Sequence, residues 1–495
     1  MGRIAAAFAG TLLGIYLLLG VTALLLLPTA EPLPWLALAV LHECLLLGIA
    51  IELTELLFGL LLPARVYART PVLDRARLRV AVLYLCCDDV DDESLDSLRS
   101  LRDVDVFVLD DSRTEASRRQ TDRSGFTVIR RSDRAAFKAG NLNHWLRAYG
   151  ERYEYFIVLD SDSVIFADAV WELVEYAEAS ENRDVAIVQS TIVARADNRF
   201  QRCLAVQAPL RNRILSRLYD AIGWTLSHGH NALHRTAAIR SAGGFDISAS
   251  CEDTATSLRL LHCGWRIILV PTVSYDAEPR DIVAFRRRYV RWARQTIDVI
   301  AAMKLRVRVS SALLMVRHVL GYLLPIVGTA SLVLFLVGSP RRLAPGVPSI
   351  SAAAQTLGSV FAVGLATSIA AILLLRLVLS LRAGQSVKMF LASALLNGAA
   401  VAFCSPHTAL GMLRSLARGP VAFRPTGAAA APPPTCSRLW LEMAGAWAVY
   451  VAVAVIAMRK PFDQLGTLPL FWLVCFVGSP PLLWLFHRDQ RVGAA

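Results

Sequence analysis

The chain has 495 residues, 55% of them hydrophobic, a formal net charge of +12 and a mean hydropathy of +0.47. So apolar a composition excludes an ordinary soluble protein, and the apolar residues collect in long runs toward the two ends. The positive charge would suggest nucleic acid in a soluble chain; here many arginines flank apolar runs, so a lipid bilayer is the expected partner and nucleic acid is not.

Ile4–Leu27 and Trp35–Leu62 are apolar spans, each longer than the roughly 20 residues that cross a bilayer. The first is followed by no small-residue cleavage site and reads as an anchor, so residues 1–64 are expected to form two transmembrane helices. His42, Glu43, Glu52 and Glu55 lie in or near the second span. Intramembrane ionisable groups face a bundle interior or a polar path, so Glu43 and Glu52 are expected to line a conduit and Glu55 to snorkel or pair locally near a helix end.

Residues 65–303 alternate short apolar runs with charged segments. Leu78–Leu85, Val104–Leu109, Phe126–Ile129 and Tyr155–Leu159 read as strands, and Ser94–Leu101 and Asn141–Tyr149 as helices. This alternation predicts an α/β, Rossmann-like domain with a mostly parallel sheet. Residues 304–495 carry four further candidate spans, Val316–Val337, Ala353–Leu379, Leu439–Met458 and Leu468–Phe486. A fifth run, Met389–Leu413, has Arg382 and Lys388 before it and Arg414 and Arg418 after it, so it reads as interfacial or re-entrant. Six crossings then place the domain and both termini on the cytoplasmic side, although Arg341, Arg342, Arg459 and Lys460 fall outside. The nine cysteines show neither zinc spacing nor a disulfide framework and are expected to be reduced thiols.

The chemistry-bearing residues sit at strand ends. Phe156–Leu159 delivers Asp160 and Asp162, one residue apart, where open α/β sheets bind ligands. Mg²⁺ or Mn²⁺ typically takes one or two carboxylates plus phosphate oxygens; the plain alternative is helix capping. Asp88 and Asp111 end the first two strands and are placed to accept hydrogen bonds from a nucleotide base and ribose. Asp91, Asp92 and Glu93 read as capping and solvated acids. Lys138 precedes a glycine at a helix start and can meet a diphosphate, or be a surface lysine. Glu252 and Asp253 open a helix, with Asp253 either a general base or an ordinary cap beside Thr254. Arg288, Arg291 and Trp292 end a basic run that suits phosphate and sugar contacts, while Arg286 and Arg287 suit lipid headgroups.

The order Asp88, Asp111, KAG at Lys138, D-x-D at Asp160, E-D at Glu252 and R-x-x-R-W at Arg288 resembles the inverting, membrane-embedded glycosyltransferase family 2, which includes cellulose, chitin and hyaluronan synthases. LCCDDV at Leu85–Val90, KAGN at Lys138–Asn141, GHNALHR at Gly229–Arg235 and SYDAEP at Ser274–Pro279 are similar to the bacterial membrane glucosyltransferases of osmoregulated periplasmic glucan synthesis. Cys87-Asp88 stands where an asparagine-glutamate pair is usual, and Cys251 where threonine is usual. FRPTG at Phe423–Gly427 looks like a degenerate gating-loop signature.

The resemblance implies a GT-A catalytic domain between transmembrane helices in a bacterial inner membrane, with accessory export or envelope proteins as further candidates for partners. It implies a UDP-sugar donor, glucose first, and a glycan acceptor. Asp88 and Asp111 would meet the nucleoside; Lys138, with a metal on Asp160 and Asp162, would hold the diphosphate. Asp253 would be the base. Glu252, His230 and Asn231 would contact substrate, Arg288 and Arg291 the leaving group, and Trp292 the acceptor sugar. A single addition to a lipid or polyprenyl-phosphate acceptor is the second reading, and a non-catalytic nucleotide-binding transporter or sensor the third.

Overall fold

The computed structural model describes residues 2–25, 33–63, 65–210, 216–302, 317, 319–323, 326–330, 333, 367–418, 436–458 and 467–487. The expected spans Val316–Val337 and Ala353–Leu379 fall partly outside these residues, and the Phe423–Gly427 signature wholly so.

The soluble block folds around a seven-stranded sheet. Its strands are β1 (Val80–Cys86), β2 (Asp105–Asp110), β3 (Thr127–Ile129), β4 (Tyr155–Leu159), β5 (Val185–Arg195), β6 (Ala232–Arg235) and β7 (Arg266–Ala277), in the order β3-β2-β1-β4-β6-β5-β7. The β1/β2, β1/β4, β2/β3 and β5/β7 pairs are parallel; β6 is antiparallel to both β4 and β5. The α/β expectation holds, with one antiparallel strand inserted beside β4.

Every residue of β1 and β4 is buried, because helices cover both faces of the sheet. Alternate residues feed two cores, as the two-residue period of a strand requires. Val80, Val82, Tyr84, Ile157 and Leu159 pack with Trp171 of the Ala167–Glu178 helix. Ala81, Leu83, Phe156 and Val158 pack with Trp145 of the Phe137–Ala148 helix.

A third core fastens this domain to the C-terminal helices. Phe200, Ile282, Val283 and Phe285 pack with Leu396, Phe403, Leu439, Phe476 and Leu483. The interface helix Ile282–Ala302 is thus clamped onto the helices Val387–Arg418, Cys436–Ala457 and Thr467–His487. Its first turn is pinned by His487, whose Nε2 accepts from the Ile282 N–H at 3.2 Å while Nδ1 lies 2.8 Å from the Leu483 carbonyl. Arg286 bonds Glu442, which corrects its expected use on lipid headgroups; Arg287 is exposed.

Among the described residues, Glu43–Leu61, Val387–Ala417 and Leu439–Ile456 are long and apolar enough to cross a membrane. The run expected to be interfacial or re-entrant is one continuous helix of 32 residues. On the helix Leu33–Leu61, Glu52 bonds Arg376 Nε at 2.6 Å, and Glu43 accepts from the Tyr16 hydroxyl at 3.1 Å. Glu55 takes Arg317 through Nε at 2.8 Å and Nη2 at 3.1 Å and also accepts from Tyr219. Glu55 is paired, but with Arg317 and Tyr219, distant in the chain, and not locally as expected. Glu52, part-exposed, is held in an ion pair with Arg376.

Candidate active site

Parallel neighbours β2, β1 and β4 end together, which brings Asp110–Asp111, Cys87–Asp89 and Asp160–Asp162 to one edge of the sheet. Because β6 runs the other way, its leading segment Gly229–Asn231 reaches the same edge; the Asn231 N–H donates to the Val158 carbonyl at 2.7 Å. A bridge between Val164 and Tyr275 lays the end of β7 beside the D-x-D turn.

Lys138 is the hub. Its Nζ lies 2.6 Å from Asp160 Oδ1, 3.0 Å from the Gly229 carbonyl oxygen and 3.9 Å from Glu252 Oε1. It can stand there because its helix begins at Phe137, after a left-handed Ala136, and because Gly140 comes close under Ala135; a Cβ at Gly140 would lie 1.9 Å from the Ala135 carbonyl oxygen. Burial disfavours the ammonium, but the charges of Asp160, Glu252 and Asp253 outweigh it and raise its pKa. Burial likewise opposes ionisation of Asp160, yet Lys138 and then His230 hold that carboxyl below its usual range.

Asp162 makes no ion pair with a lysine or arginine among the described residues, and the pull of His230 on it is outweighed. Burial, then Asp276 and Asp160, push its carboxyl well up, and Asp276 itself is pushed to about 7 by burial and Asp160, against the pull of Arg288. Three carboxylates therefore share too little positive charge, which is the donor chemistry a divalent cation satisfies. Among the described residues no three His, Cys, Asp or Glu side chains form a complete ion cage. Mg²⁺ and Mn²⁺ sites that keep positions open for phosphate oxygens need only one or two carboxylates, so Asp160 and Asp162 fit such an ion. Asp276 was not singled out from sequence, because nothing in SYDAEP marks its β7 partner as the D-x-D turn.

Glu252 and Asp253 occupy the first turn of the Glu252–His262 helix. Burial raises the Glu252 carboxyl to about 7, with Lys138 opposing the rise. Asp253 makes no ion pair among the described residues, and its side chain packs on Gly229, where φ is +83° and an added Cβ would sit 2.6 Å from Oδ2. A small pocket lies beside it, lined in part by Ser227, Gly229, His234, Glu252, Asp253 and Thr256.

Other residues singled out from sequence are engaged as follows. Asp88, at φ 63°, spends Oδ1 on the Arg113 and Thr114 N–H groups at 2.7 and 2.8 Å, tethering the loop ahead of the Glu115–Asp122 helix, which Thr114 caps. Asp111 holds Arg131 through two bonds of 3.0 and 2.7 Å; Arg131 was hidden from sequence in a basic run. Asp91 caps its helix as expected, accepting from the Ser94 N–H at 2.8 Å. His230 faces the D-x-D turn, 3.4 Å from Ser163 Oγ and 3.9 Å from Asp276. Asn231 is wholly buried and donates to the Tyr275 carbonyl at 3.0 Å. Its expected acceptor contact is therefore corrected: with no exposed atom it serves to join β4 to β7. From the interface helix, Arg288 bonds Glu278 and lies 4.9 Å over the Trp292 ring, and Arg291 is near enough to feel Asp160 and Glu252. Burial lowers the Arg291 pKa.

The chain is similar to known proteins. Glucans biosynthesis glucosyltransferase H of Caulobacter vibrioides is 27% identical over 241 residues, 42% of this chain and 34% of that protein. The cellulose synthase 1 catalytic subunit [UDP-forming] of Komagataeibacter xylinus is 29% identical over 204 residues, 40% and 27% of the two chains. The chain thus spans about a quarter to a third of the curated relatives it matches. A solved mannosyltransferase, PcManGT from Pyrobaculum calidifontis in complex with GDP-Man and Mn²⁺, aligns with a TM-score of 0.47 and 18% identity over 70% of this chain and 99% of that one. The model for "Glycosyl transferase family group 2" matches residues 155–403, from the first residue of β4 through the D-x-D, the E-D pair and the interface helix into Val387–Arg418. A match over half the chain that takes in the elements converging on Lys138 makes this chain a member of glycosyl transferase family group 2.

Proposed function

We propose that this chain is a processive inverting glycosyltransferase that moves a sugar, glucose first, from a UDP-sugar onto a growing β-linked polysaccharide and passes the product across a membrane. The observation that carries the reading is the reach of one lysine: Lys138 Nζ touches the D-x-D through Asp160 and stands 3.9 Å from the E-D pair through Glu252, so donor-phosphate and acceptor chemistry meet within a few ångströms. Glucose and UDP come from relatives named for glucan and cellulose synthesis.

In this reading the nucleoside lies against the Asp88 and Asp111 loops, both held rigid by their own hydrogen bonds. Lys138 moves from Asp160 toward the diphosphate, and Asp160 and Asp162 hold Mg²⁺ or Mn²⁺. The cation, when bound, neutralises charge on the diphosphate as it leaves. Asp253 takes the proton of an acceptor hydroxyl; that oxygen bonds the anomeric carbon from the face opposite the leaving group, and the carbon–oxygen bond to UDP breaks. Arg291, with Arg288 behind it, offsets the charge gathering on UDP, and Trp292 supports the acceptor sugar. Residues 1–64 and 304–495 supply the membrane helices around a cytosolic domain at 65–303 in a bacterial inner membrane, where accessory envelope proteins would receive the product.

The test is to give membranes containing the full chain radiolabelled UDP-glucose and a panel of other UDP-sugars, and to size and linkage-map the product. A long β-linked glucan is expected. One sugar on a lipid would establish the single-addition reading instead, and no UDP release with any donor would refute both.

A further inference from the structure

The Glu252–His262 helix opens with an unusual arrangement. Cys251 occupies its N-cap position but makes no side-chain bond to the helix N–H groups, which is the normal work of a polar cap. Its thiol instead donates to Asp253 Oδ1 across 2.8 Å, with Thr254 Oγ1 3.3 Å from the same sulfur. The Thr254 N–H donates to that same Oδ1 at 2.6 Å. Oδ2 accepts no hydrogen bond among the described residues and lies on the Gly229 backbone, beside the pocket shared with Glu252.

The geometry points to Cys251 as a positioning residue: its S–H, with the Thr254 N–H, occupies Oδ1 and so leaves Oδ2 as the oxygen that takes the acceptor proton. The inference rests on Asp253 being the base. Two donors on one oxygen fix the plane of the carboxylate, and the Gly229 backbone sets how far the other oxygen can swing. Burial, and the carboxylates of Asp253 and Glu252, keep the thiol protonated, so it acts as a donor and not as a nucleophile. A hydrogen bond donated to a carboxylate favours the charged form, so loss of the donor should show on the acidic limb of the rate.

The other ionisable groups around Asp253 are Glu252 on its own helix, Lys138 and His234 across the pocket, with Arg291 of the interface helix acting on Glu252 and Cys251. All are unchanged in variants of Cys251, so a difference between those variants reports the thiol. The experiment is the pH dependence of kcat/KM for UDP release by the full chain, for wild type, C251A, C251S and D253N. For C251A the acidic limb is expected to move up by about 0.5–1 pH unit, the equivalent of one modest hydrogen bond. For C251S, whose hydroxyl is the stronger donor, the limb should return to the wild-type position or fall below it, with donor KM little changed.

Superimposed limbs for C251A and wild type, or a C251S limb above the wild type, would overturn the positioning role. If C251A does not fold, the C251S limb decides alone. Full turnover by D253N would remove the base assignment itself, a different failure from superimposed limbs over an inactive D253N.

Discussion

Replacing Gly229 by alanine tests how closely the site is built. A Cβ there would stand 2.6 Å from Asp253 Oδ2, 2.7 Å from its Cβ and 3.0 Å from its Cγ. Carbon atoms rest at about 3.5–4.0 Å, so one partner must retreat by about 1 Å. Asp253 cannot simply rotate away, because Oδ1 is tied to the Thr254 N–H and the Cys251 thiol. Gly229 cannot yield cheaply either, since its carbonyl holds Lys138 and its φ of +83° already costs an alanine about 1 kcal/mol. A misplacement of about 1 Å at a reacting group costs on the order of 10²-fold in rate. Gly229→Ala should therefore lower kcat for UDP release about a hundredfold, while UDP affinity, measured by calorimetry, changes only a few-fold. Wild-type turnover in a folded Gly229→Ala protein would refute the packing argument.

Asp160→Ala and Asp162→Ala should each weaken Mn²⁺ binding, followed by electron paramagnetic resonance, by on the order of tenfold or more, and should remove the metal dependence of UDP binding; unchanged Mn²⁺ affinity in both would exclude the D-x-D as the ion site. Glu55→Ala strands the Arg317 guanidinium and the Tyr219 hydroxyl, and should cost roughly 3–5 kcal/mol in detergent-solubilised unfolding, much of it regained by pairing Glu55→Leu with Arg317→Met. His234 is buried and stacked on Phe156 at 5.0 Å, and burial lowers its pKa from 6.5 to about 3. The unfolded chain binds that proton below about pH 6.5 and the folded chain does not. The contribution is therefore full above pH 6.5 and is lost as pH falls toward 3; His234→Phe should flatten the stability slope in that window by about 1.4 kcal/mol per pH unit, and parallel slopes would contradict it.

Much of the frame was legible because burial writes itself into sequence. Tyr155–Leu159 is a fully buried strand and reads as an unbroken apolar run ending in acids, so the D-x-D could be placed from residues alone. The Lys138 helix was harder. The range expected from sequence, Asn141–Tyr149, begins after Gly140, whereas the helix starts at Phe137 and the fold uses Gly140 for close approach to Ala135. The antiparallel β6 is only four residues long and carries no periodicity to reveal its direction, yet it is the strand that brings Gly229 to Asp253 and Lys138. Pairings distant in the chain were invisible in principle: Glu52 with Arg376 is separated by 324 positions, and Ser163 with Asp276 by 113. Asp88 and Asp111 were found at the strand ends, but that their own chain holds them, through Thr114 and Arg131, follows only from the fold.

The central claim is that one carboxylate at the start of the Glu252–His262 helix takes the acceptor proton beside a donor nucleotide held by the strand ends. Single-turnover release of UDP from enzyme-bound, labelled UDP-glucose, compared between wild type and Asp253→Asn in the full-length chain, tests it most directly. The account predicts equal nucleotide occupancy in both, with transfer slowed by about 10²–10⁴-fold in Asp253→Asn. Equal occupancy with equal rates would contradict it.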